Sequence, residues 1–196
     1  MYTLKKFHAD SLLRDEKRFR SFYDAVPLSR QQKVDRIKDP ETKAVSLGVG
    51  MLIHEMAESF HIRETDIITN EYGKPMVSGG GPPYFNVSHK HLWAVIAVSK
   101  RGDIGVDIES VGLYRPKMAE RYFTPNEVRW LNDIRDENKR RYEFYKMWTM
   151  KEAYGKMTGG GLLDGLEFDT TEMFPLLRFT TQDMEDGYIV TVCERA

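Results

Sequence analysis

Ile104-Gly105-Val106-Asp107-Ile108-Glu109 is the stretch on which the reading of the fold turns. Apolar residues at 104, 106 and 108 alternate with Gly105, Asp107 and Glu109, the period of two that a β-strand imposes. Val106 and Ile108 therefore point into a core, while Asp107 and Glu109 share the other face, about 7 Å apart along the strand. Two carboxylates held that close on a rigid strand repel one another unless a cation lies between them. Hard oxygen donors with no Cys or His beside them favour Mg²⁺ over zinc. An ordinary half-solvated strand of an antiparallel sheet carries the same D-x-E pattern.

Working outward, Leu92 to Ser99 (LWAVIAVS) precedes this strand across Lys100-Arg101-Gly102-Asp103, and the pair predicts an antiparallel hairpin with a Gly-containing turn. Tyr84 to Ser88 and Ile67 to Thr69 read as further strands, separated by the Gly/Pro punctuation of Tyr72-Gly73-Lys74-Pro75 and of 78–83. The first third reads as helical. A helix from Ser11 to Ala25 is broken by Pro27, and a second runs from an N-cap at Ser29 to Lys38, presenting Arg30, Lys33 and Arg36 at three-residue spacing. Asp39 and Pro40 form an N-cap and N1 pair for an apolar helix from Glu41 to about Phe60. On the other side, Thr124-Pro125-Asn126-Glu127 opens a helix, a longer one runs from about Arg140 to Met157, and strands return between Leu162 and Cys193 with a turn at Asp186-Gly187. The class is α+β.

The 29 Lys and Arg balance 30 Asp and Glu among 196 residues, and a net charge of −1 excludes a protein that coats a polyanion by excess charge; no nucleic-acid partner is expected. The balance is uneven: residues 1–63 carry +3, residues 64–161 carry +2 and residues 162–196 carry −6, a gradient that an anionic ligand held by the first two thirds and plain solvated charge explain equally well. The single cysteine, Cys193, forms no intrachain disulfide, the N-terminus has no apolar signal region, and no stretch approaches a bilayer span. A reducing cytoplasm and no membrane partner are the expectation.

Two further segments carry chemistry. In Phe144-Tyr145-Lys146-Met147-Trp148-Thr149-Met150-Lys151-Glu152-Ala153-Tyr154-Gly155-Lys156, helical spacing puts Trp148, Glu152 and Lys156 on one face with Lys151 beside them. Glu152 is placed to complete a three-carboxylate set with Asp107 and Glu109, and Lys151 and Lys156 to neutralise phosphate oxygens; a solvated Glu-to-Lys pair is the plainer alternative. Lys74, held in a Gly/Pro turn, and Ser88 and His89 are donors suited to a phosphate, or equally turn and loop residues. The glycines at 79–81 and 159–161 lack a Walker pattern, and His54-Glu55 does not continue as H-E-x-x-H.

In this order YGKP (72–75), FNVSH (85–89), IGVDIE (104–109), FTPNE (123–127) and FYKMWTMKEAYGKMTGGGL (144–162) resemble the surfactin-type 4′-phosphopantetheinyl transferases. The resemblance implies transfer of the phosphopantetheine arm of coenzyme A to a serine of an apo acyl or peptidyl carrier protein, with release of adenosine 3′,5′-bisphosphate. It implies two similar α+β halves, 1–103 and 104–196, related by a pseudo-twofold axis with coenzyme A in the cleft between them. Position by position, Asp107, Glu109 and Glu152 match the Mg²⁺ ligands. Lys74, Ser88 and His89 match coenzyme A contacts, Lys151 and Lys156 the lysines at the pyrophosphate, and Arg30 and Lys33 basic residues near the nucleotide.

One position departs from the family. Many relatives carry an arginine where this chain has Val45, in Val45-Ser46-Leu47-Gly48-Val49-Gly50; either Lys43 or Arg36 replaces its charge or the contact is lost. The proton of the attacking serine goes to Glu152, to a metal-bound water or to Glu127, although Glu127 also completes a capping box with Thr124. The carrier is expected to dock near Met118, Tyr122 and Phe123, where Leu113 and the cations Arg115, Lys117 and Arg121 lie close in sequence; an amphipathic connector with Phe123 in the core is the equal alternative. A monomer is expected. A coenzyme A pyrophosphate hydrolase and a non-catalytic carrier- or nucleotide-binding module are the competing readings.

Overall fold

The computed structural model of the chain describes residues 1–166, 168–172 and 174–196. It divides into two compact units, Met1–Arg101 and Gly102–Ala196. In the first, strand β1 (Tyr2–His8) leads into helices α1 (Asp10–Arg14), α2 (Glu16–Ala25), α3 (Leu28–Asp35) and α4 (Pro40–Ser59). A short ribbon of β2 (Ile67–Thr69) and β3 (Pro75–Val77) follows, then β4 (Tyr84–Lys90) and β5 (Trp93–Ser99). In the second, β6 (Ile104–Ser110) leads into α5 (Pro116–Tyr122), α6 (Pro125–Asp133), α7 (Glu137–Thr158) and α8 (Leu162–Leu166), and then into β7 (Leu177–Asp183) and β8 (Tyr188–Arg195). The two main sheets share one topology. The last strand of each unit, β5 or β8, lies in the middle, antiparallel to the unit's first strand on one edge and to its penultimate strand on the other.

The hairpin expected between 92–99 and 104–109 does not form, because β5 and β6 lie in different sheets. β5 is buried at every position after Trp93, so it needs a neighbour on each edge, and β1 and β4 supply them within the first unit. Lys100 to Asp103 instead carries the chain from one unit to the next. β1 lies in a segment read as helical; its exposed Lys5 and Lys6 suit an edge strand, where charge discourages further pairing. The first expected helix breaks at Asp15, which is extended and caps α2 by accepting from Arg18 N at 3.0 Å. α3 begins at Leu28, with Pro27 rather than Ser29 at the N-cap. α5 fills a stretch read as a connector, and α8 takes the start of the region expected to return directly to strands.

Each sheet is held by one long helix. α4 starts as its sequence indicates: Asp39 accepts from Thr42 N at 2.8 Å and Pro40 occupies the first turn. Its Val49, Leu52, Ile53 and Met56 pack on Phe85, Ala94, Ile96 and Val98 of the sheet. α7 is capped by Asp136, which accepts from Lys139 N at 2.8 Å, and it ends at Gly159 in the left-handed region (φ 84°). A buried chain of hydroxyls ties α7 to its sheet: Thr149 Oγ1 lies 2.7 Å from Thr191 Oγ1, which lies 2.9 Å from Thr181 Oγ1.

The closest approach is at Gly105, where an added Cβ would lie 1.9 Å from Ala153 O and 2.6 Å from Met157 N. The α7 backbone therefore rests directly on β6. Ile104, Val106, Asp107 and Ile108 are buried, so β6 is covered on both faces and is not a half-solvated strand. Among the described residues no helix is long and apolar enough to cross a membrane.

Two outcomes follow from this packing. Gly105→Ala must push α7 off β6 and is expected to cost about 3 kcal/mol in chemical denaturation; an unchanged midpoint would show that the contact yields. Cys193 is fully buried with Sγ 3.6 Å from Met157 Sδ, and burial, then the charge of Glu194, pushes its thiol up to about 12. An unfolded thiol titrates near 8.5. The thiol's contribution to stability is therefore full below about pH 8.5 and is lost as pH rises toward the folded value. Between pH 9 and 11 the protein should lose more stability than Cys193→Val, as read from paired melts.

Candidate functional site

β6 and α7 bring part of the expected set together. Asp107 Oδ1 accepts from Lys156 Nζ at 2.6 Å. Glu152, one turn before Lys156, is half-buried, and its carboxyl is held above the usual range by burial first and then by the charge of Asp107. Lys156 opposes that shift and Glu109 adds to it. Glu152 thus feels the charge of both strand carboxylates. Among the described residues, however, no three His, Cys, Asp or Glu side chains stand so as to hold a metal ion. The cation in contact with Asp107 is Lys156. The donor set consists of carboxylate oxygens, which suit a hard divalent cation, and added positive charge would relieve the repulsion felt by Glu152.

Glu127 and Lys151, both expected to act on substrate, face each other in the core. Neither side chain has exposed surface, and Lys151 Nζ lies 2.9 Å from Glu127 Oε2. Lys151 also donates to Gly165 O at 3.3 Å and to Phe168 O. Glu127 accepts from Thr124 N at 2.7 Å, closing the capping box of α6, and from Thr170 N and Oγ1 at 2.8 and 2.6 Å. With Lys151 this fills four acceptor positions, the capacity of a carboxylate. The sequence showed the capping half of this arrangement through T-P-N-E; the lysine and Thr170 arrive from distant segments.

The first unit carries a cavity of about 400 Å³ whose lining includes Arg30, Lys33, Val45, Ser46, His89 and His91. Arg30 extends across α4 at Gly50, where an added Cβ would lie 2.8 Å from its Cγ. Burial lowers the proton affinity of the Arg30 guanidinium, while Glu64 opposes the shift. The Lys33 ammonium is lowered by burial and then by the charge of Arg30. Asp39 and Glu41 also line the cavity, so its two cations are matched by two carboxylates.

Of the remaining expected residues, Lys74, Ser88, Arg36 and Lys43 do not line this cavity. Ser88 is buried on β4, and the Lys74 backbone donates to Asn70 Oδ1 at 2.8 Å in the turn before β3. Val45, where the charge is missing, is part of the cavity wall. His91 was not read from the sequence; its spacing two residues after His89 was the available signal.

The expected docking segment is only partly at the surface. Phe123 is buried and stacks on Phe144 and Trp148, at centroid distances of 5.2 and 6.3 Å, and Met118 and Tyr122 pack at the edge of the same cluster. Leu113 is exposed, as are Arg115, Lys117 and Arg121.

The first unit thus carries a polar cavity of mixed charge, and the second a cluster of carboxylates and a lysine. Comparison with known proteins makes this specific. The sequence profile described as the 4′-phosphopantetheinyl transferase superfamily (ACPS) matches residues 103–193. A 4′-phosphopantetheinyl transferase of Bacillus subtilis is 30% identical over 168 residues, covering 84% of this chain and 70% of the relative. The 4′-phosphopantetheinyl transferase Sfp of Bacillus subtilis (strain 168) is 28% identical over 180 residues, covering 89% and 73%. The 4′-phosphopantetheinyl transferase gsp of Aneurinibacillus migulanus is 40% identical over 93 residues, covering 47% of this chain and 38% of the relative. A Synechocystis relative is likewise matched over 35% of its length. The chain belongs to the 4′-phosphopantetheinyl transferase superfamily, and its similarity to Sfp places it with the Sfp-type members.

Removing one partner of the Glu127–Lys151 pair leaves the other charge buried. Glu127→Gln and Lys151→Met are each expected to cost about 3–5 kcal/mol, and the double variant less than the sum of the two. A denaturation cycle measures this, and additive losses would show that the pair is uncoupled.

Proposed function

We propose that the protein transfers the 4′-phosphopantetheine arm of coenzyme A to a serine of an apo acyl or peptidyl carrier protein. Members of the family use coenzyme A and act on carrier proteins. The observation that carries the reading to this chain is the meeting of Asp107, Glu152 and Lys156 where α7 rests on β6.

In the proposed reaction the serine oxygen forms a bond to the β-phosphorus of coenzyme A. The phosphoanhydride bond to adenosine 3′,5′-bisphosphate breaks, and the hydroxyl proton passes to a base. Arg30, Lys33 and His89 bind the nucleotide end, with Lys74 and Ser88 as further contacts. Asp107, Glu109 and Glu152 would hold Mg²⁺, which when bound would neutralise charge on the pyrophosphate as it moves to the leaving group. Lys156 exchanges its contact with Asp107 for the phosphate oxygens. The base belongs to the exposed side of this cluster and is not Glu127, whose acceptor positions are taken within the core. Lys151 acts as a positioning residue: it fixes α7 from within and so sets the direction of Glu152, the next residue.

The carrier docks through Leu113 and the cations Arg115, Lys117 and Arg121, with Met118 and Tyr122 at the margin. These cations suit an acidic partner. The two units, 1–103 and 104–196 in the sequence reading, divide the work between nucleotide binding and metal and proton chemistry. A monomer in the cytoplasm fits this assignment, and the lone buried thiol of Cys193 is compatible with a reducing compartment.

Incubation with several apo carrier proteins, coenzyme A and Mg²⁺, followed by intact mass measurement, is expected to show a phosphopantetheine adduct on a carrier. EDTA should abolish it and excess Mg²⁺ restore it. Consumption of coenzyme A with no mass gain on any carrier would replace transfer by hydrolysis, and binding without turnover would leave a carrier- or nucleotide-binding module.

A further inference from the structure

The first unit holds a second cavity of about 400 Å³, apart from the one beside Arg30. Its floor is apolar: Met56 near the end of α4, Phe60 just beyond the helix, and Ile96 and Val98 of β5. These side chains belong to the core between α4 and its sheet or pack against it. Val49 is the last residue of α4 on the Arg30 cavity and Met56 the first on this one, about 10 Å further along the helix.

The cavity has a cause in the way the helix meets the first strand. β1 and β6 hold the same place in their sheets, and Thr3 is the second residue of β1 as Gly105 is of β6. At Gly105 the backbone of α7 fills the space above the strand. In the first unit the glycine is on the helix instead. Gly48 seats against Phe7, near the far end of β1, where an added Cβ would lie 2.5 Å from the ring. The tight contact is therefore at one end of β1, and at the other Thr3, Met56 and Ser59 border open space.

The rim of that space is cationic. Lys5, Lys100 and Arg101 line it, and among the described residues no Asp or Glu does. Glu55 holds Lys5 from outside, at 2.8 Å. Lys100 Nζ lies over the Phe60 ring, 5.5 Å from its centroid, so its charge stands at the edge of the apolar floor. The Arg101 backbone N–H donates to Ser99 Oγ at 3.1 Å, which fixes the turn that carries both cations. An apolar floor bordered by two adjacent cations is complementary to a molecule with a hydrocarbon tail and one anionic head. The volume falls within the range of small-ligand sites, about 300–1,000 Å³.

We propose that this cavity binds a medium-chain fatty acid, with its tail on the apolar floor and its carboxylate at Lys100 and Arg101. The tail would complete the core of the first unit where α4 leaves the sheet uncovered, removing apolar surface from water on both sides. Lys5, already neutralised by Glu55, adds little to the head group's site. The ligand is bound by the folded unit alone and so stabilises it by mass action. Neither the Arg30 cavity nor the carboxylate cluster takes part, and the assignment does not rest on the coenzyme A reading.

The test is calorimetric titration of octanoate and of octan-1-ol into the full chain, with thermal melts. The wild type is expected to bind one octanoate, to bind octan-1-ol more weakly, and to melt at a higher temperature with octanoate present. Ser59→Trp, at an exposed position beside the cavity, fills it and should abolish binding of both ligands without lowering the melting temperature of the unliganded protein. Lys100→Gln combined with Arg101→Gln should weaken octanoate about fivefold and leave octan-1-ol unchanged. A wild type that does not bind octanoate, binding of several molecules per chain, or binding that persists in Ser59→Trp overturns the site. Equal weakening of both ligands by the paired Gln substitutions, or no weakening of octanoate, overturns the placement of the anionic head. No titration contains coenzyme A, so the outcome is separate from that of the proposed reaction.

Discussion

The second unit is organised around a contact that leaves no room for a side chain. Where α7 crosses β6, Gly105 lets a helix backbone lie against a strand backbone, and the next residue on that face of the strand is Asp107. Because the approach is backbone to backbone, there is no flexible side chain to absorb an error. Distance and register are set by the peptide units themselves. That rigidity places Lys156 within hydrogen-bond reach of Asp107 and lets Glu152 sense both strand carboxylates. A functional cluster built on a strand and a helix so constrained is held more narrowly than one built on loops.

The buried Glu127–Lys151 pair does a different task. Taking both charges out of water is costly, and the pair's attraction offsets that only because Thr124, Thr170 and two backbone carbonyls complete the hydrogen bonding. The result ties the start of α6, the middle of α7 and the segment around 165–170 to one point. Its energetic worth lies less in net stability than in excluding other arrangements. A shifted α7 would strand a buried charge, so the network defends the register that Gly105 permits.

Much of this was legible in the sequence, and the remainder was hidden for definite reasons. The carboxylate strand, both long helices, the cap of α4 at Asp39 and that of α6 at Thr124 follow from local rules acting within four or five residues. The fate of β5 does not. Its apolar run fits a hairpin with the following strand as well as a central place in another sheet, and only β1, from the far end of the unit, decides the matter. Glu127 and Lys151 each carry a local pattern suited to chemistry, yet their burial depends on Gly165, Phe168 and Thr170, whose nearness no short motif encodes. His91 was missed because the cavity it lines is assembled from α3, α4 and the β4–β5 turn, which no short motif encodes. Phe123 shows the converse: an aromatic among surface cations fits a docking surface as well as a core, and its packing on Phe144 and Trp148 of α7 decides for the core.

The shared sheet topology bears on the order in which the protein can be made. In each unit the central strand is the last to be synthesised, so during translation the earlier strands have no sheet to join. β6, with the carboxylates of the cluster, leaves the ribosome some eighty residues ahead of β8, to which it is hydrogen-bonded. In that interval α7 can shield one face of β6, while its edge waits for residues 188–195. The first unit has closed its sheet once β5 is out, before any of this begins. A nascent chain thus carries a finished first unit while the carboxylate unit is still open, and its window for misassociation lies in the second half of synthesis.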